Sequence, residues 1–153
     1  MSEVCFTWPC RVYYEDTDGQ GILYHARCLN FFERARTEWI RSLGINQSAW
    51  LARGFGFVVS SASLRYRAPA FLDDSLLATV TLRESRRTSF SVAQCLYKCA
   101  QTCEDEGEGD VDSVLSQGEA LIEGEFRIVS IDMKRFRPCA IPPELTAVIG
   151  SRG

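Results

Sequence analysis

No apolar run in this chain approaches the ~18 residues that a membrane-spanning helix needs. Basic charge is not in excess either, since 17 lysines and arginines stand against 20 aspartates and glutamates. A net charge of −3 and a pI near 5.2 lack the basic face of a nucleic-acid binder, so no nucleic-acid partner is expected. There is one histidine, His25, and no C-x-x-C pair, so no metal site is expected. Met1 to Phe6 carry neither a cationic leader nor an apolar core; the expectation is no signal peptide and a cytoplasmic protein. Repeats and linkers are also missing, which predicts a single domain over residues 1–153.

What is present is a globular balance: 46% hydrophobic and 24% charged residues. A chain of this length buries enough surface to fold without a disulfide or metal staple. Seven cysteines (Cys5, Cys10, Cys28, Cys95, Cys99, Cys103 and Cys139) form an odd set, read as reduced thiols.

The pattern along the chain begins with a strand at Arg11–Tyr14, after Pro9. A polar turn, Glu15 to Gly21, follows. From about Tyr24 to Leu43 the period is helical, with Cys28, Leu29, Phe32, Ala35, Trp39, Ile40 and Leu43 on one side and Gly44 as the stop. Four strands come next, at Phe57–Tyr66, Leu76–Leu82, Ser89–Cys99 and Leu121–Ile131. In the third, Phe90, Val92, Gln94 and Leu96 share a face. The acidic stretch Glu104–Asp110 reads as a solvated hairpin tip. The order strand, helix, four strands predicts an α+β domain whose strands, joined by short connections, run as antiparallel neighbours. One helix covers one sheet face, so an edge or face is left for a partner subunit.

Reactive groups concentrate between Tyr13 and Arg36. Asp16 and Asp18 flank Thr17, and Gly19 and Gly21 let the backbone approach a ligand. The helix start supplies unpaired N–H groups and a positive dipole end, suited to a polarised carbonyl. A carboxylate facing such donors can attack a carbonyl carbon or activate water to do so. The bland counterpart is a turn-capping aspartate.

Arg11-Val12-Tyr13-Tyr14-Glu15-Asp16-Thr17-Asp18, Gly21, Tyr24-His25 and Asn30-Phe31-Phe32-Glu33-Arg34-Ala35-Arg36 together resemble hotdog-fold acyl-CoA thioesterases of the 4-hydroxybenzoyl-CoA thioesterase type. More narrowly, they resemble the Tol–Pal-associated acyl-CoA thioesterases of Gram-negative bacteria. The likeness continues through Tyr66-Arg67-Ala68-Pro69-Ala70, Leu72-Asp73-Asp74, Arg87-Thr88-Ser89 and Arg137-Pro138. It implies a hotdog fold, a five-stranded antiparallel sheet wrapped around one long helix. Subunits would pair edge to edge as a homodimer or homotetramer, with the site at their boundary. It implies hydrolysis of acyl-CoA to free acid and coenzyme A, with no cofactor beyond the coenzyme A of the substrate. A peripheral link to membrane lipid synthesis or to Tol–Pal proteins is implied by the resemblance alone.

By the same resemblance Asp18 is the catalytic carboxylate, as nucleophile or as general base, and Asp16 supports its loop. Tyr24 and His25 lie where a backbone N–H would polarise the thioester carbonyl; His25 either orients Asp18 or the water, or is structural. Gly21 belongs to the substrate loop. Arg36 and Glu33 are read as a mutual ion pair supporting the site. Arg86, Arg87, Thr88 and Ser89 either hold coenzyme A phosphates or form a solvated turn. Phe55, Phe57 and Val59 line an acyl pocket or simply fill the core. A hotdog dehydratase carries a Phe-Pro-x-x-Pro-like stretch after its histidine, whereas His25 precedes Ala26-Arg27-Cys28. The rival from another class is a non-hydrolytic binding module or scaffold for an acyl thioester on coenzyme A or acyl carrier protein.

Overall fold

In a computed structural model, which describes residues 4, 6–99, 114–115, 118–141, 143 and 146–147, the first strand is β1, Phe6–Arg11. It contains Pro9, so the strand expected at Arg11–Tyr14 lies further toward the N-terminus. Among the described residues β1 pairs only with β3 (Ser75–Ser85) and is a sheet edge, where a residue without an N–H is tolerated. Tyr14–Asp16 form a single 3₁₀ turn instead of continuing the strand.

The main helix, α1, spans Cys28–Ser42 and stops as its sequence predicts. Leu43 caps it, and Gly44 follows at φ +87°, its N–H bonded to the Arg41 carbonyl. Its start is later than the periodicity suggests. The His25 carbonyl, which a helix would offer to the Leu29 N–H, instead accepts from the Tyr66 hydroxyl and the Cys28 thiol. The Leu29 N–H turns to Ala26. The buried stripe also differs: Phe31 is buried and Leu29 exposed, because the sheet curls around the helix and covers a wider arc. A short helix, α2 (Gln47–Ala52), follows, capped by the Asn46 side chain on the Ala49 N–H.

The remaining strands are β2 (Phe55–Tyr66), β4 (Ser89–Lys98), β5 (Ala120–Asp132) and the two-residue β6 (Arg137–Pro138). All pairings are antiparallel, in the order β1-β3-β4-β5-β2, with β6 on the end of β5. Sequential strands are therefore not always neighbours: β2 pairs with β5, not with β3. Crossing from β2 to β3 spans three strand spacings, roughly 14 Å. The eight intervening residues reach up to about 26 Å, so a short connection does not dictate adjacency. Register shifts at Val59/Ser61, Leu82/Glu84 and Leu96/Tyr97 bend the strands as bulges do, giving the sheet its curl.

The core lies between α1 and the concave sheet face. Phe32 meets Phe126, and Trp39 meets Phe90, with centroids 5.5 and 6.1 Å apart. Leu76, Ala78 and Val80 of β3 and Phe90, Val92 and Leu96 of β4 complete it. The opposite face carries a smaller cluster of Leu77, Cys99 and Val114. Cys99 is disulfide-bonded, which corrects the reading of all seven cysteines as reduced thiols: the count and spacing do not say which sulfurs meet. Cys10, Cys28, Cys95 and Cys139 are free. The acidic stretch Glu104–Asp110 lies outside the described residues. No helix among those residues is long and apolar enough to cross a membrane.

Candidate active site

The segment between β1 and α1 is folded by its own polar side chains. Asp16 is buried, 3% exposed. Its Oδ2 accepts the Tyr13 N–H at 2.9 Å, and Oδ1 lies 3.5 Å from Arg27 Nε. Arg27 also donates to the Glu15 carbonyl at 3.2 Å. Beyond it, Thr17 bridges to Leu23, the Asp18 N–H bonds the Ile22 carbonyl, and the Gly21 N–H bonds the Asp18 carbonyl. This tight loop needs φ +79° at Gly21, a conformation that glycine adopts without a steric penalty.

Asp18 holds the loop tip. Its Oδ1 accepts the Gln20 N–H at 2.8 Å, and the Gln20 side-chain amide, oriented to donate, lies 3.1 Å from both carboxylate oxygens. Asp18 is thus a turn-capping residue, and it also lines an open cleft of about 520 Å³. The β2–β3 crossing makes that cleft. It lies against the loop through the Leu23 N–H on the Ala70 carbonyl and a bridge between Ile22 and Phe71. Asp18 and His25 face the cleft together with Tyr66, Arg67 and the Ala68–Ala70 segment, and Ile22, Leu23 and Ile122 supply apolar lining. Arg67 is tied to Glu123, Nε to Oε1 at 3.1 Å.

At the helix start the Tyr24 N–H is already bonded to the Asp16 carbonyl at 2.8 Å. Among the described residues, the N–H groups of His25, Ala26 and Cys28 have no hydrogen-bond partner here. The Tyr24 carbonyl accepts from the Arg27 N–H at 2.9 Å. A planar trans peptide points its N–H opposite its C=O, so this bond also fixes the direction of the His25 N–H. The His25 ring packs edge-on to Tyr24, with centroids 4.6 Å apart, and to Tyr66 at 6.4 Å. No hydrogen bond joins the His25 ring to Asp18.

Arg36 does not pair with Glu33. It donates to Gln94 Oε1 at 2.8 Å and lies over the Phe126 ring at 4.7 Å. Burial lowers its pKa from the usual arginine value, and the exposed Glu33 opposes that only through the field. The correction has a physical reason: the helix turns Arg36 toward the sheet and Glu33 toward solvent. Gln94 is the residue missed there, and its signal was a lone amide on an otherwise apolar strand face.

The β3–β4 turn stands apart. Arg86 pairs with Glu84 at 2.8 Å, and the carbonyls of Arg87 and Thr88 accept from Ile141 and Ser130. Ser89 is buried, its hydroxyl accepting from Arg127 at 3.3 Å. Ser89 pairs with Val129, and Ile122 of the cleft lies seven residues back along β5, roughly 23 Å away. Within one subunit these residues and Asp18 are not brought together. Phe57 and Val59 line a separate cavity of about 80 Å³ beside Arg36, and Phe57 packs on Phe90 at 6.1 Å.

Sequence reading also passed over Arg27 and gave Tyr66 no role; both act on backbone carbonyls far along the chain, a relation without local periodicity. No group of three or more His, Cys, Asp or Glu side chains that would hold a metal occurs among the described residues. The arrangement is a fixed carboxylate and a histidine on one partly apolar cleft, next to a helix start with unpartnered N–H groups, which suits attack on a carbonyl at the end of an acyl chain.

Residues 12–149 match the family model described as the thioesterase-like superfamily. The acyl-CoA thioester hydrolase YbgC of Escherichia coli O6:H1 is 35% identical over 147 residues, covering 96% of this chain and 97% of that protein. The acyl-CoA thioesterase YbgC of Haemophilus influenzae is 34% identical over 143 residues, covering 93% and 92%. The crystal structure of Slr0204, a 1,4-dihydroxy-2-naphthoyl-CoA thioesterase from Synechocystis, superposes with a TM-score of 0.77 at 22% identity, covering 95% of each chain. At that identity the superposition speaks for a shared fold.

Proposed function

The chain belongs to the thioesterase-like superfamily and has its hotdog fold, and from that premise we propose that it hydrolyses acyl-CoA to a free acid and coenzyme A. The relatives named above support the reaction class. The observation that carries the reading is the shared cleft of Asp18 and His25, with unpartnered N–H groups at the adjoining helix start.

In the proposed mechanism the thioester carbonyl oxygen takes the N–H groups of His25 and Ala26, whose helix-end dipole favours the developing oxyanion. Asp18 attacks the carbonyl carbon, forming an anhydride that water then cleaves, or it takes a proton from water as that water attacks. The leaving thiolate needs little proton help, since a thiol like that of cysteine has a pKa of roughly 8.5. The reaction as written uses no cofactor beyond the substrate's own coenzyme A.

Among the described residues β2 presents an unpaired edge, with Val58, Val59 and Tyr66 exposed, which supports a homodimer or homotetramer. In such an assembly the β3–β4 turn of a second copy, carrying Arg86, Arg87, Thr88 and Ser89, contributes to coenzyme A binding. A link to lipid synthesis at the membrane or to Tol–Pal proteins rests on the family resemblance alone, and a cytoplasmic location is the expectation drawn from the sequence.

The test is mass-spectrometric detection of acid and coenzyme A from short, aromatic and long acyl-CoAs, with Asp18→Asn alongside. Asparagine keeps the oxygen that caps the Gln20 N–H, so the loop survives while the charge is lost. A drop in turnover of about 10²-fold or more is expected. Wild-type protein that binds the panel without releasing product would instead be a binding module.

A further inference from the structure

The His25 carbonyl receives two side-chain donors that the proposed chemistry does not use. The Tyr66 hydroxyl lies 2.7 Å from it and the Cys28 thiol 3.0 Å, and the two side chains are themselves 3.7 Å apart. Tyr66 is the last residue of an edge strand, and the residue is about half exposed. A phenylalanine would pack there as well; the hydroxyl is the group that reaches across 41 positions to the turn before α1. Both groups stay protonated through the neutral range. Desolvation first, then the neighbouring Cys28 sulfur, pushes the Tyr66 phenol up to about 12, and burial raises the Cys28 thiol.

The carbonyl of His25 and the N–H of Ala26 belong to one peptide plane and point in opposite directions. Holding the first therefore orients the second. Donation to the carbonyl also withdraws electron density from the amide, which makes its N–H a stronger donor. No hydrogen bond to that N–H occurs among the described residues.

We infer that Tyr66 is a positioning residue: its hydroxyl, with the Cys28 thiol beside it, clamps the His25–Ala26 peptide so that the Ala26 amide is held and polarised for the acyl carbonyl. The inference rests on the hydrolase reading for its consequence and on the hydrogen-bond geometry for its structural part. Without the clamp, the His25 carbonyl is free to return to the ordinary helical bond with Leu29, and the turn before α1 rewinds. The amide direction is then lost while the cleft, Asp18 and the His25 ring contacts persist. The consequence falls on the step in which charge develops on the carbonyl oxygen, not on binding of the acyl-CoA.

The experiment compares wild type and Tyr66→Phe, which keeps the ring against His25 and leaves the core untouched. Steady-state hydrolysis of the best acyl-CoA is followed by mass spectrometry, and the backbone ¹⁵N shifts are recorded without substrate. The expected result is a fall in kcat of about 10-fold or more with KM within about twofold. The Ala26 ¹⁵N resonance should move upfield by more than its neighbours do, because its peptide has lost a donor on the carbonyl. Unchanged kcat, or a rise in KM alone, overturns the positioning role whatever the resonance does. An unmoved Ala26 resonance overturns the clamp. Absence of wild-type turnover sinks the hydrolase reading instead, and the Ala26 shift then decides by itself whether Tyr66 orients this peptide.

Discussion

Arg36 Nη1 donates to Gln94 Oε1 at 2.8 Å, joining the middle of α1 to the middle of β4 inside the core. Gln94 is 0% exposed, and its amide nitrogen donates in turn to the carbonyls of Phe32 and Thr79 at 3.0 and 3.3 Å. One buried amide thus meets one guanidinium N–H and two backbone carbonyls. Removing the acceptor leaves a half-buried charge short of a partner, whereas removing both members leaves an apolar contact. Gln94→Leu is expected to cost about 3 kcal/mol in urea unfolding, and adding Arg36→Met should recover about 1 kcal/mol of it. A double variant less stable than Gln94→Leu alone would contradict the pairing.

Gly21 and Gly19 sit two residues apart in the loop that carries Asp18, and neither would bring a new Cβ within 4 Å of anything. They differ in conformation: Gly21 has φ +79° and Gly19 has no positive φ. Gly21→Ala should therefore cost about 1–2 kcal/mol from backbone strain alone, while Gly19→Ala should stay within about 0.5 kcal/mol of wild type. Thermal unfolding of the two variants decides this. Because the Gly21 N–H closes the turn on Asp18, the first variant should also lose turnover, and the second should not.

Cys10, on β1, sits beside Arg34 in a cleft between the sheet edge and α1. Burial pushes its thiol from 9.0 up to about 11, with the Arg34 charge opposing. The folded state therefore favours the protonated thiol. Its contribution to stability is present in full below pH 9 and is lost as pH rises toward 11, where the unfolded chain ionises first. Urea midpoints between pH 8 and pH 11 should fall less steeply for Cys10→Ala than for wild type. Equal slopes would mean that this thiol is not held neutral by the fold.

Much of the architecture is legible locally. The face of β4 carrying Phe90, Val92 and Leu96, the face of β3 carrying Leu76, Ala78 and Val80, and the stop at Gly44 follow from side-chain alternation and from the left-handed conformation that glycine permits. The concentration of polar groups from Tyr13 to Arg36 is equally a property of the sequence. These features depend on neighbours two to four residues apart.

The relations that build the cleft do not. Whether β2 meets β3 or β5, whether Arg36 finds Glu33 or Gln94, and whether His25 begins the helix or offers its carbonyl to Tyr66 depend on residues tens of positions apart. Each alternative is locally acceptable. The choice is made when burying α1 in the curled sheet fixes which buried donor has an acceptor within reach. Local pattern carries the stop of α1, the inward faces of β3 and β4 and the segment that holds the reactive groups, but not the place of β1 or the burial of Phe31 in place of Leu29. The strand order, the Cys99 disulfide and the direction of the amides at the head of α1 come from long-range packing. Hydrophobic periodicity is a local code, whereas a hydrogen bond depends on where distant parts of the chain are finally held.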